Sequence, residues 1–247
     1  MTPPIRRWIS DRCRGSLSRQ PKLCFSPNVR AFRLWNHPPQ PRSRRSGRDK
    51  YLVYGAPCFD DASIDEVVDS LRSGSLGTAP KVARLEAMVR EYTGAVHTVA
   101  VNSCTAALYL SLLAADVGPG DEVITTPMTS CGMADSIIQA GARPVFVDCE
   151  RDTQLIDVTR IAAAITPRTK AIVPVHFAGR VCDMNAIGEI ARRHGLRVIE
   201  DATQSIEGRY AGNKVGTMSD LACFSFCVTK NVTTGKSGMV ATADPDH

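Results

Sequence analysis

A chain of 247 residues with 43% hydrophobic side chains has room for one or two domains and a sizeable core, and no apolar run approaches the ~18 residues of a membrane helix. The formal net charge of +5 is unevenly spread: the first 50 residues hold 13 of the 30 basic groups and 2 of the 25 acidic ones, so the remainder is a mildly acidic body without the footprint of a nucleic-acid binder. The nine cysteines form no CxxC pair and no zinc-spaced cluster with His, which points to buried reduced thiols in a cytoplasmic protein rather than a disulfide framework or a metal site.

Residues 1–50 carry 7 of the 15 prolines and both tryptophans, Trp8 and Trp35, with no sustained periodicity. They read as a basic Pro/Arg-rich extension, disordered or artefactual; an organellar transit peptide fits the composition less well. The folded body is expected over 51–247. Ser63 to Glu66 fits a capping box, and Ile64, Val67, Val68 and Leu71 continue it as one helical face ending at Gly74. A second helix is expected near 81–93. Strands and helices then alternate: strand 97–101, helix 104–115, strand 122–126, helix 131–140, strand 144–148, helix 157–165, strand 171–175, helix 183–194 and strand 197–200. Strands 222–226 and 239–243 follow. This order predicts an α/β fold, a mostly parallel seven-stranded sheet with helices on both faces. The last two strands have no room for a helix between them, so at least one of them is expected to run antiparallel.

Open sheets of this kind bind ligands beyond the carboxyl ends of their strands. Three segments fall there. Asn102 to Leu108 (NSCTAAL) follows a strand and opens a helix; Ser103 can cap it, and the N–H groups of Thr105 and Ala106 are candidates to hold an anion, although an ordinary capped turn has the same look. Asp201 ends the apolar strand RVIED, where a carboxylate can hold a cationic ring nitrogen, a ribose hydroxyl or a helix cap; Gln204 lies three residues on. Ser225 leaves another strand, and Lys230 follows in a polar loop, either a solvated lysine or a partly desolvated amine suited to a Schiff base. KNVTTGKS ends like a phosphate-binding P-loop, but Lys230 occupies the first glycine position and a strand follows it. No GxGxxG is present either.

Several long segments occur together and in order: SGSLGTAPKVARLE, NSCTAALYLSLLAADVGPGDEVITTPMT, GARPVFVD, PVHFAGRVCDM, VIEDATQSIEGRY and the stretch around Lys230. They resemble the DegT/StrS family of sugar aminotransferases, pyridoxal-phosphate enzymes of fold type I, from about Gly55 to His247. The resemblance implies a three-layer large domain that binds pyridoxal 5'-phosphate. It implies that Lys230 forms the Schiff base with the cofactor and moves the proton, that Asp201 pairs with the pyridine nitrogen, and that Gln204 contacts the side of the phenolic oxygen. Thr105, Ala106 and Ser225 match the phosphate cup. It also implies a homodimer that transfers an amino group from an amino-acid donor, glutamate, to a nucleotide-linked ketosugar in polysaccharide biosynthesis.

The sequence departs from the family pattern in places. Ser130 and Cys131 stand where an aromatic side chain usually stacks on the ring, Ser75 replaces a common Trp, and Lys236 and Ser237 replace Glu-Gly. The family's small C-terminal domain is not found before His247, so turnover by these residues alone is expected to be poor. Two alternatives remain. Sugar dehydratase relatives carry His at the lysine position, against which Lys230 argues. A non-catalytic or regulatory fragment would keep the fold as a dimerisation scaffold.

Overall fold

The computed structural model describes residues 55–77 and 80–244; the expectation for residues 1–50 lies outside them. The seven anticipated strands form one sheet. They are β1 (His97–Val101), β2 (Glu122–Thr125), β3 (Arg143–Phe146), β4 (Thr169–Ile172), β5 (Arg197–Asp201), β8 (Leu221–Ser225) and β9 (Gly238–Thr242), in the order β1-β9-β8-β5-β4-β2-β3. All run parallel except β9, which pairs antiparallel with both β1 and β8, because the twelve-residue loop between β8 and β9 is too short to carry a crossover helix back to the start of the sheet. Between β5 and β8 lies an unanticipated hairpin, β6 (Arg209–Tyr210) and β7 (Asn213–Lys214). Its strands are too short to show alternation. Its turn residues, Ala211 and Gly212, both take the left-handed conformation that twists a tight hairpin correctly.

The helices are α1 (Asp61–Ser73), α2 (Pro80–Thr93), α3 (Cys104–Ala114), α4 (Cys131–Gln139), α5 (Val158–Ala164) and α6 (Met184–His194). Successive strand residues point to opposite faces, and each face has its own helices. Val123, Ala171, Val173 and Ile199 pack with Cys104, Leu108 and Leu112 of α3 and Met133 and Ile137 of α4. Ile124, Ile172 and Val198 pack with Ile161 of α5 and Met184, Ile187 and Ala191 of α6. Ala222, Phe224, Met239 and Ala241 meet Val89 of α2. A sheet covered on both sides needs apolar residues at nearly every position, which is why the central strands read as continuous apolar runs.

One expectation at α1 is corrected. The helix starts earlier than the capping-box reading: Asp60 Oδ1 accepts the Ser63 N–H at 2.8 Å, while Glu66 turns to Lys81 Nζ at 2.6 Å. The stripe Ile64, Val67 and Leu71 is exposed, since nothing among the described residues packs on it. Ion pairs from Lys81 to Glu66 and Asp69 tie α1 to α2 instead. Of the seven described cysteines all are free; Cys104, Cys182 and Cys223 are buried, Cys149 and Cys227 are half-buried, and Cys58 and Cys131 are exposed. Among the described residues no helix is long and apolar enough to cross a membrane, and no group of His, Cys, Asp and Glu could hold a metal ion.

Candidate active site

Because six strands share one direction and β9 begins where they end, the turns after β1, β2, β4, β5 and β8 and the start of β9 gather at one end of the sheet. A cavity of about 220 Å³ opens there. Its walls include Ser103, Thr105, Ser130, Gln204, Ser225 and Lys230, together with Lys236 and Ser237. Size alone does not mark the site: a cavity of about 600 Å³ lies at the opposite end of the sheet beside α6, around Arg192, Ser219 and Asp220, with no nucleophilic amine in its wall.

Helix α3 begins at the cavity. Ser103 is in extended conformation and its Oγ accepts the Ala106 N–H at 3.2 Å, so Ser103 is the cap, as anticipated. That bond uses the Ala106 N–H, which was expected to be free. Among the described residues, the donors without a partner are instead the N–H groups of Cys104 and Thr105, and Ala106 is not part of the cavity wall. Gly238, the first residue of β9, lies against this turn: a Cβ built on it would stand 2.5 Å from the Ser103 carbonyl carbon and oxygen and 2.6 Å from the Cys104 nitrogen. The KSG stretch therefore crosses the helix start at a separation only glycine allows.

Asp201 closes β5. It is 2% exposed, and among the described residues its side-chain hydrogen bonds come from Thr203, whose N–H lies 3.1 Å from Oδ1. Burial pushes its carboxyl above the usual carboxylate range; the Thr203 hydrogen bonds and the charge of Lys230 partly counter this. Asp201 sits behind the cavity wall rather than in it, on the sheet face of α3. Its charge also reaches Cys104, whose thiol is held well above the ordinary cysteine range, first by burial and then by Asp201. Gln204 lines the cavity, and its Oε1 accepts the N–H of Ala178, a residue in the left-handed region (φ 52°). That leaves the Gln204 amide nitrogen available.

Lys230 stands in the loop that joins β8 to β9. The loop is closed on itself by Phe226 N–H to Ser237 O at 2.9 Å and Thr234 N–H to Phe226 O at 3.1 Å, and Lys230 N–H bonds Cys227 O at 2.9 Å. The Lys230 side chain is half-buried and makes no hydrogen bond or ion pair with the described residues. Ser225 Oγ accepts a long bond from Cys227 N–H, 3.4 Å.

Behind this end of the sheet is a network that the sequence did not single out. His176 and Glu200 are both fully buried, with His176 Nε2 and Glu200 Oε2 at 2.9 Å; Ser219 Oγ donates to Glu200 Oε1 at 2.6 Å. The Cys182 N–H reaches His176 Nδ1 at 3.3 Å, so Nδ1 is the acceptor and the ring proton on Nε2 is donated to Glu200. His176 N–H bonds Asp201 O at 3.0 Å, which holds the extension of β4 against the end of β5. The only signal for this in the sequence is the alternation in VIED, which sends Glu200 and Asp201 to opposite faces.

These residues fit a phosphate-bearing, cationic-ring cofactor in their polar parts. Unpartnered N–H groups and hydroxyls suit a phosphate, a buried carboxylate suits a protonated ring nitrogen, and an unpaired amine stands beside them. No aromatic side chain is in the described wall; Ser130 and Thr129 occupy that side.

Comparison with known proteins shows the family. The chain is 48% identical over 199 residues to the spore coat polysaccharide biosynthesis protein SpsC of Bacillus subtilis, covering 81% of this chain and 51% of SpsC. Spr1654 of Streptococcus pneumoniae, solved in its PLP and PMP forms, matches with a TM-score of 0.76 at 36% identity, over 79% of this chain and 54% of its own. PseC of Helicobacter pylori, an aminotransferase involved in the biosynthesis of pseudoaminic acid, matches with a TM-score of 0.75 at 29% identity, over 80% of this chain and 53% of its own. The chain thus spans about half the length of these relatives. With residues 57–247 matched, this chain belongs to the DegT/DnrJ/EryC1/StrS aminotransferase family, whose members depend on pyridoxal phosphate.

Proposed function

We propose that the chain is the cofactor-binding part of an aminotransferase that moves an amino group from an amino acid, glutamate, to a keto group on a nucleotide-activated sugar, with Lys230 as its catalytic residue. One observation carries the reading. An unpaired, half-buried amine, an uncapped pair of helix N–H groups and a buried carboxylate converge on one sheet end from three different strands.

Pyridoxal phosphate, when bound, supplies an electron sink for the carbon that loses its proton. The tasks of the protein follow from its own groups. The N–H groups of Cys104 and Thr105 and the hydroxyls of Ser103, Thr105 and Ser225 hold the phosphate, in the positive field of the α3 start. Asp201 keeps a proton on the ring nitrogen. Its burial disfavours an isolated carboxylate, so a cation at that point restores the ionised form and the two charges stabilise each other. Gln204 orients the ring from the side with its free amide nitrogen. Lys230 as a free amine takes the proton from the reacting carbon and returns it at the neighbouring position. Cytoplasmic location and a homodimer belong to the same reading; exposed Leu110 and Leu113 on α3 and Ile138 on the adjacent α4 support self-association.

The test is chemical. The protein is incubated with pyridoxal phosphate, reduced with borohydride and mapped by peptide mass. The pyridoxyl group is expected on Lys230 and is expected to vanish in Lys230→Ala. Attachment to another lysine, or none, overturns the assignment.

A further inference from the structure

The cavity holds a second lysine. Lys236 lines it beside Ser237, and, like Lys230, its side chain makes no hydrogen bond or ion pair with the described residues. Among the described residues no acidic side chain is in the wall, and the charged residues lining the cavity are Lys230 and Lys236. The backbone settles which part of the cavity Lys236 belongs to. Ser225 pairs with Gly238, Phe226 N–H bonds Ser237 O, and Gly238 abuts the Ser103–Cys104 peptide. Lys236, two residues before Gly238, therefore rises next to the first turn of α3 rather than beside Asp201. Two lysine side chains and the positive end of a helix face one small cavity, and the nearby carboxylate, Asp201, lies behind its wall rather than in it. Such an arrangement is unfavourable when empty and is relieved by a doubly charged anion.

We propose that Lys236 is a phosphate-binding residue of this chain, a second cation on the phosphate of the bound ligand. The inference rests on the cofactor reading above for the identity of that ligand. The ligand chemistry is a phosphate monoester dianion, and inorganic phosphate shares it. The family pattern has an acid at this position, so the effect is a gain particular to this sequence.

The experiment titrates the cofactor-free chain with inorganic phosphate by calorimetry at low ionic strength, and with pyridoxal phosphate and unphosphorylated pyridoxal by absorbance. Wild type, Lys236→Met, Lys236→Arg and Lys236→Glu are compared, each checked for an unchanged thermal midpoint. Lys236→Glu restores the acid of the family pattern at an exposed position, which keeps one folded variant available. Loss of one charged contact is expected to weaken inorganic phosphate and pyridoxal phosphate about tenfold or more in Lys236→Met, and further in Lys236→Glu, with Lys236→Arg close to wild type. Pyridoxal is expected to bind all four equally. Equal phosphate affinity in wild type and Lys236→Met overturns the proposal, and so does an equal loss for pyridoxal and its phosphate. A normal cofactor band alongside such a result leaves the aminotransferase reading standing. Conversely, a Lys236-dependent phosphate site without any cofactor band supports the proposal and overturns that reading.

Discussion

The two ends of the sheet treat charge in opposite ways. At the amino end, Glu122 is 1% exposed and fully engaged: Arg143 at 2.7 Å, Arg168 at 2.6 Å and the Thr166 hydroxyl at 2.8 Å all bond its oxygens, and these contacts, Arg143 first, hold its carboxyl down to about 2. Asp220 there accepts from Arg197 at 3.0 Å and from Val198 N–H at 2.8 Å. At the carboxyl end, among the described residues, the Lys230 and Lys236 side chains have no such partners, the Asp201 side chain has only Thr203, and burial pushes its carboxyl up. Charge satisfied within the chain holds the fold together. Charge left unpaired at a strand end marks a candidate ligand site.

The largest expected effect comes from two neighbours on β5. Glu200→Ala strands the His176 Nε2–H without an acceptor and leaves a cavity at a fully buried position, while Ser219 keeps its bond to Leu221 O; the expected loss is about 3–5 kcal/mol. Asp201→Asn, one residue on, removes a charge that the empty site disfavours. It is expected to raise the thermal midpoint of the cofactor-free protein while weakening cofactor binding about tenfold or more through the lost ion pair. Thermal unfolding of the two variants with and without cofactor checks both signs; equal destabilisation by both would dissolve the contrast between satisfied and waiting charge.

Gly238→Ala probes the contact that shapes the phosphate end. Its methyl group would overlap the Ser103 carbonyl, so β9 and the α3 start must separate, at an expected cost of about 1–3 kcal/mol and with weakened phosphate binding. Denaturant unfolding and phosphate calorimetry on one preparation test it. A variant as stable and as phosphate-competent as wild type would show that the close approach is not required.

The smallest effects are in pH dependence, and they have opposite signs. Glu122 has a folded value of about 2 against 4.5 for the free side chain. Its stabilisation is present above about pH 4.5 and is lost as pH falls toward 2; Glu122→Gln should flatten that acid limb. Asp201 is raised above 3.8. The native state then keeps its proton longer than the unfolded chain, so stability of the cofactor-free protein falls as pH rises from 3.8 through the raised value, and Asp201→Asn should remove that fall. Urea midpoints across this range in both variants give the comparison, and a shared sign would break it.

The positions of Ser103, Thr105, Gln204, Ser225 and Lys230 around one cavity were legible because each follows a strand, and strand ends in a mostly parallel sheet face one way. Ala106 was legible as part of the helix start but not as an occupied donor, since that depends on the rotamer of Ser103. His176 with Glu200, and Lys236 with the α3 start, escaped notice: each pairs groups brought together by the crossover of the fold rather than by spacing along the chain.

By itself the sequence determined the seven strands, six helices, their mostly parallel order and the end at which chemistry would lie. Those follow from local periodicity and from the rule that a sheet buried on both faces needs crossover connections. The tertiary structure alone decided that Asp60 caps α1, that β9 lies between β1 and β8, and which charges have partners. Partnership depends on strand order and on the few ångströms between side chains, and neither quantity is encoded in the spacing of residues along the chain.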